Sequence, residues 1–239
     1  MILITRPFDS AKKLKSRFKE NGIESFIEPL TSIKISSKQL NYNVNQIYIV
    51  TSQRSVEFLK YQNDFKDKMQ KLSFVVIGEN TAAKLIGIGV KNIIHIAQDS
   101  DELIQYIKSH KFNNQFTYLC GTNRNISFIK FLKNEVLKCE IIEAYKVLSY
   151  QSLSAQLVTK LKNKKIKVIL IFSMFNAKLF IKLSSIYSSL DHKDYTYICM
   201  SMKIAQSMKK NGCKNTTYPK KPTLDEMVQL SVKYLKTLD

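Results

Sequence analysis

The chain has 239 residues, 44% of them hydrophobic, with 38 Lys and Arg against 19 Asp and Glu for a formal charge of +19. That is enough for one large or two small cored domains, and no apolar run approaches the ~20 residues a membrane-spanning helix needs. The opening Met1-Ile2-Leu3-Ile4-Thr5-Arg6-Pro7 has no basic region ahead of an apolar stretch and no small-residue cleavage site, so a soluble cytoplasmic protein is expected.

In chain order, Ile2 to Thr5 reads as a buried strand, and Leu14 and Phe18 fit a helix capped by Asp9 or Ser10 and ended by Asn21-Gly22. Ser25 to Leu30 reads as the next strand. Further strands are expected at Ile47–Val50, Phe74–Ile77, Asn92–His95, Phe116–Leu119, Glu140–Ile142, Val168–Ile171 and Tyr195–Ile198. Helical patterns separate most of them, which implies parallel sheets with helices on both faces. The densest charge run, Lys160 to Lys167, reads as a helix end leading into a strand.

The chain also repeats itself. Gly78 to Leu85 aligns with Ser201 to Met208, and Gly89-Val90-Lys91-Asn92 with Gly212-Cys213-Lys214-Asn215 in the same register. Val50 to Ser55 parallels Ile171 to Asn176, and Leu3 to Glu28 echoes Tyr118 to Glu143. The order is A-B-A′-B′. The alternating segments after each A unit read as a two-stranded bridge over 31–37 and 146–150, giving a discontinuous domain of 1–33 and 151–239 and a second of 38–145. Two such α/β lobes would leave a cleft at the carboxyl ends of their strands.

The net charge suggests a polyanionic partner, but Lys is plentiful everywhere and fills solvated positions, so charge alone selects none. No helix-turn-helix, zinc-finger spacing or G-x-x-x-x-G-K-[ST] motif points to nucleic acid or nucleotide. Cys120, Cys139, Cys199 and Cys213 lie far apart, and neither disulfides nor a metal site is expected from them. His192 beside Asp191, in a polar stretch, reads as a surface residue rather than a general base.

A series of short motifs resembles the uroporphyrinogen-III synthase family over nearly the whole chain. They are Thr5-Arg6-Pro7 after the first strand, Thr51-Ser52-Gln53-Arg54-Ser55-Val56, and the Gly-x-x-Thr-Ala turn at Gly78, Thr81 and Ala82. Leu119-Cys120-Gly121 with Arg124 after it, Tyr145-Lys146, Ile171-Phe172-Ser173-Met174-Phe175 and Pro222-Thr223-Leu224 follow in the family's order. Arg54 stands where Asn is usual, Met174-Phe175 replaces Pro-Ser, and Ser201 and Ile204 replace the Gly and Thr of the second turn.

The resemblance implies two flavodoxin-like parallel-sheet lobes joined by the two-stranded linker. It implies closure of hydroxymethylbilane, a linear tetrapyrrole with eight carboxylates, into uroporphyrinogen III with loss of water and inversion of ring D, by a monomer with no cofactor, metal, nucleic acid or membrane partner. Strand-to-helix junctions offer main-chain N–H groups to carboxylates. On that basis Thr5, Thr51, Ser52, Gly78, Thr81, Gly121, Ser173 and Ser201 are the expected binding residues, with Arg6, Arg54, Lys146 and Lys203 adding cations. Ser and Thr at those junctions would cap helices in any case. Tyr145 is the expected acid for the leaving hydroxyl, since an ordinary phenol, with a pKa of ~10, is protonated at neutral pH and can donate. The competing expectation is a non-catalytic two-lobed α/β ligand-binding protein.

Overall fold

The computed structural model describes residues 1–110, 112, 115–133 and 137–236. In chain order, β1 (Ile2–Ile4), α1 (Phe8–Glu20), β2 (Ser25–Ile27), β3 (Thr31–Ile35) and β4 (Gln46–Val50) come first. Next are α2 (Gln53–Lys60), α3 (Phe65–Lys68), β5 (Ser73–Ile77), α4 (Glu79–Ile86), β6 (Asn92–Ala97) and α5 (Ser100–Ser109). Then follow β7 (Gln115–Gly121), α6 (Ile126–Leu132), β8 (Cys139–Ser149), α7 (Ala155–Lys162), β9 (Val168–Ile171) and α8 (Met174–Ser184). The chain closes with β10 (Thr196–Cys199), α9 (Met202–Lys210), β11 (Thr216–Thr217) and α10 (Leu224–Lys236). The fold is mixed α/β with parallel sheets, in two units: Met1–Ser32 with Leu148–Asp239, and Ile33–Val147.

The first unit holds a five-stranded sheet in the order β11-β10-β9-β1-β2, each neighbouring pair parallel. Strands β1 and β9 are apolar at every position because helices cover both faces. Alternate residues go to opposite sides. Leu3, Ile169 and Ile171 pack with Leu157 of α7, Phe180 of α8 and Met208 of α9. Ile2, Ile4, Val168 and Leu170 pack with Leu14 and Phe18 of α1 and Met227 of α10.

The second unit holds the order β3-β8-β7-β4-β5-β6. Tyr48, Val50, Phe74 and Val76 face Val56, Phe58 and Leu59 of α2 and Leu85 of α4. Ile49, Val75, Phe116 and Tyr118 face Leu103 of α5 and Phe128 of α6. The repeat seen in sequence appears strand for strand: β2-β1-β9-β10-β11 in one sheet corresponds to β8-β7-β4-β5-β6 in the other. The first sheet is strung A then B′, the second B then A′. The chain passes between units within β3 and again within β8, which are hydrogen-bonded neighbours.

One tie recurs at the same repeat position in both units. The Ser55 hydroxyl, in the first turn of α2, donates to the Leu119 carbonyl of β7 at 2.8 Å. Asn176, in the first turn of α8, donates to the Thr5 carbonyl after β1 at 3.2 Å. Each fixes a helix start to the end of the adjacent strand, fully inside the core.

Some local expectations differ from the structure. The Ser25–Leu30 strand stops at Ile27, two residues ahead of Pro29, which has no N–H to continue a ladder. Helix α1 starts at Phe8 behind Pro7, and the Ser10 hydroxyl donates to the Pro7 carbonyl at 2.8 Å rather than capping the helix. Glu140–Ile142 and the segment beyond Lys146 are one uninterrupted strand, β8. His192 is half-buried, not a surface residue: Nδ1 lies 3.1 Å from the Tyr197 hydroxyl, and the ring meets Phe180 edge-on. Burial lowers its pKa, against the pull of Asp191. All four cysteines are free.

Candidate active site

Parallel strands deliver their carboxyl ends to one edge of a sheet, where the next helix begins and its first N–H groups lack intrahelical partners. Every sequence-predicted site residue except Tyr145 and Lys146, which lie within β8, is at or beside such a junction.

In the second unit the most constrained point is Gly121, at the end of β7. A Cβ placed there would sit 2.6 Å from Cε2 and 2.9 Å from Oη of Tyr145. Only glycine lets the Tyr145 ring lie against the β7 backbone at this distance. The β7–β8 register shifts at this point, pairing Gly121 with Tyr145. The Thr122 N–H also donates to the Tyr145 carbonyl at 3.3 Å. Tyr145 is 9% exposed, so its ring is held by packing. The guanidinium of Arg54, from the first turn of α2, lies over that ring at 5.8 Å from its centroid. Tyr145, Gly121 and Arg54 therefore meet.

Thr51 follows β4, and its hydroxyl bonds that of Tyr118 at 3.1 Å. Burial pushes the Tyr118 phenol up to about 12, so it stays a neutral partner. Ser52 caps α2, accepting from the Arg54 N–H at 3.2 Å. Gly78 opens α4 with φ +84, a left-handed conformation that favours glycine. Thr81 is buried, and so is Ile204 at the matching position of the other unit. The Thr-to-Ile departure thus exchanges one interior side chain for another. Lys146 is exposed while Tyr145 is buried, as alternation along a strand dictates; it is not brought together with Tyr145.

Sequence reasoning noted Arg124 but missed what it does. One guanidinium nitrogen donates to Glu143 at 2.8 Å and another approaches the Cys120 sulfur at 3.2 Å. Burial raises the pKa of that thiol, opposed by Arg124. The cross-strand pairing of Cys120 with Glu143 needed the β7–β8 register, which no local pattern encodes.

In the first unit, Thr5 is fully buried and its hydroxyl donates to the Leu170 carbonyl at 2.7 Å. Its side chain joins β1 to β9 and is not available to a ligand, which corrects the expectation for that hydroxyl. Arg6 places its guanidinium over the Phe172 ring at 4.9 Å. Ser173 caps α8, accepting from the Asn176 N–H at 3.1 Å. Ser201 occupies the same position before α9 but makes no capping bond, and Lys203 is exposed beside it. These junctions follow β1, β9 and β10, which are adjacent in the sheet.

The family model for uroporphyrinogen-III synthase HemD matches residues 12–229. Among solved structures, the uroporphyrinogen-III synthetase from Helicobacter pylori matches with a TM-score of 0.64 and 16% identity, covering 98% of each chain. A mutant uroporphyrinogen III synthase from Thermus thermophilus matches with a TM-score of 0.57 and 10% identity, covering 99% of this chain and 98% of that one. At these identities the two structures speak for the fold. No curated protein matches the chain. The family match over residues 12–229 is decisive: the chain belongs to the uroporphyrinogen-III synthases, the cyclising lyases of haem biosynthesis.

Proposed function

We propose that the family's reaction on hydroxymethylbilane is carried out here at the junctions around Tyr145, with Tyr145 as general acid. The observation that carries this reading is the contact of the Tyr145 ring with the bare Cα of Gly121 under the Arg54 guanidinium. Such a ring cannot swing away without leaving a void, so its hydroxyl is held in place. Tyr145 gives its proton to the terminal hydroxyl, the C–O bond breaks, and water departs to leave an azafulvene cation. The substituted carbon of ring D attacks that cation to form a spiro intermediate. This fragments and recloses with ring D inverted, and loss of the pyrrole-carbon proton restores aromaticity as that proton returns to the Tyr145 phenolate. A placed acid supplies about 10²–10⁴-fold, and holding the chain in a reactive fold supplies up to ~7–11 kcal/mol.

Carboxylates are received by main-chain N–H groups at Thr51, Ser52, Gly121, Ser173 and Ser201. The Gly78 and Thr81 N–H groups already donate to the Ala97 and Gly78 carbonyls, and Thr5 is wholly buried, so these three shape their junctions without meeting the ligand. Arg6 and Arg54 add charge near the rings, with Lys146 and Lys203 as exposed cations at the margin. We infer further that 1–33 with 151–239 and 38–145 act as separate lobes joined through 31–37 and 146–150. In this reading each lobe offers the carboxyl edge of its own sheet. The matching strand order of the two sheets supports it. Among the described residues no helix is long and apolar enough to cross a membrane, and we propose a cytoplasmic monomer that needs no nucleic acid. Nothing in the family match or the structural likenesses favours the non-catalytic ligand-binding alternative.

The test is to supply freshly prepared hydroxymethylbilane, oxidise the products and separate the porphyrin isomers by chromatography. Isomer III in excess over the spontaneous isomer I is expected. Isomer I alone would contradict the proposal.

A further inference from the structure

The carboxyl edge of the first sheet carries a feature that neither the family motifs nor the capping residues explain. Phe8 follows β1 and is 54% exposed, Phe175 follows β9 at 45%, Met202 follows β10 at 53%, and Tyr218 follows β11 at 43%. These four strands are consecutive in the sheet, in the order β11-β10-β9-β1. At ~4.8 Å per strand they define a row about 14 Å long. Phe8 and Met202 are the first residues of α1 and α9, and Phe175 is the second of α8. Helical side chains lean toward the helix N-terminus, so in first-turn positions they lean toward the strand ends.

Single exposed apolar residues need no explanation, but one beyond the end of each of four neighbouring strands does. Cations are interleaved with it. Lys12 places its ammonium over the Phe8 ring at 4.9 Å, Arg6 stacks on Phe172, and Lys203 neighbours Met202. The matching edge of the second unit is polar: Thr51, Arg54, Gly78, Asp99 and Asn123 occupy its junctions, and Ile126 at 72% is its exposed large apolar side chain.

We propose that this row is a subsite for the pyrrole rings of the substrate, a specificity-determining surface that takes up ring faces and methylenes while the adjacent cations meet ring carboxylates. The proposal rests on the hydroxymethylbilane reading above. An apolar row with cations at its side is complementary to flat rings that each bear acidic arms, and a ligand site at this sheet edge is where open α/β folds bind. Phe175 is one of the chain's departures from the family pattern, so the subsite is partly this chain's own.

The experiment compares wild type with Phe8→Ala, Phe175→Ser and Met202→Ala, measuring kcat and KM with fresh hydroxymethylbilane, thermal midpoints, and mass in solution by light scattering. KM is expected to rise about three- to tenfold in each variant with kcat and thermal midpoint unchanged, the pattern of lost uniform binding. Three unchanged KM values with an active wild type would overturn the subsite alone. A wild-type dimer dispersed by these substitutions at unchanged KM would make the row a self-association surface, also overturning it. A wild type that yields no isomer III would overturn the reaction assignment, and the subsite with it.

Discussion

The two sheets share one strand order and differ at their carboxyl edges. Around β4, β7 and β8 the edge is polar and closely packed: Tyr145 lies on Gly121 under Arg54, and Arg124 bridges Cys120 and Glu143. Around β1, β9, β10 and β11 it is apolar and exposed, with Phe8, Phe175, Met202 and Tyr218. What stayed alike is interior: the Ser55 and Asn176 ties, and the buried positions of Thr81 and Ile204. What diverged lies at the carboxyl ends of strands and in the first helical turns that follow them. Repetition preserved the scaffold while its rims diverged.

The largest test of the shared scaffold is at Phe74 and Tyr197, equivalent central-strand positions that are both 0% exposed. Truncation of either to Ala is expected to cost about 3–5 kcal/mol, read from denaturant midpoints. A cost confined to one of them would break the equivalence.

A smaller effect is expected at the recurring tie. Ser55→Ala and Asn176→Ala each remove one buried hydrogen bond and are expected to cost about 1 kcal/mol. A markedly unequal pair would show that the tie matters in only one unit.

The smallest effect is specific to the second unit. Glu57 accepts from Lys84 at 2.6 Å and from Lys60 at 3.3 Å, pairing α2 with α4 and with its own helix. Burial acts to raise its pKa, but the two lysines together hold it below the ordinary 4.5. A depressed carboxylate stabilises fully above its unfolded value and loses that contribution as pH falls through the lower folded value. Half-exposed ion pairs contribute about 0.2–1 kcal/mol. Glu57→Gln is therefore expected to cost that much at pH 7 and to flatten stability against pH below 4.5, with added salt reducing the difference. An unchanged acid-side slope would remove Glu57 as its source.

Much of the scaffold was legible in sequence because burial on both faces writes continuous apolar runs such as Val168–Ile171, and helices write their own period. The repeat was legible largely outside the core: Gly89-Val90-Lys91-Asn92 and Gly212-Cys213-Lys214-Asn215 share a glycine at positive φ followed by exposed Lys and Asn. Less of the site was readable. A hydroxyl at a junction looks the same in sequence whether it is buried against a neighbouring strand, as in Thr5, or caps a helix, as in Ser52 and Ser173. Arg124 finds Glu143 only through strand register. The exposed row emerges only when sheet order brings β11, β10, β9 and β1 side by side, since its members lie as much as 210 residues apart in the chain, from Phe8 to Tyr218.

Kinetics of two variants in parallel test the division of labour most directly. Tyr145→Phe is expected to lower kcat on the order of 10²-fold with KM and thermal midpoint unmoved, while Phe175→Ser is expected to raise KM with kcat intact. A Tyr145→Phe enzyme that turns over at the wild-type rate would contradict the assignment of the chemistry to the edge around β7 and β8.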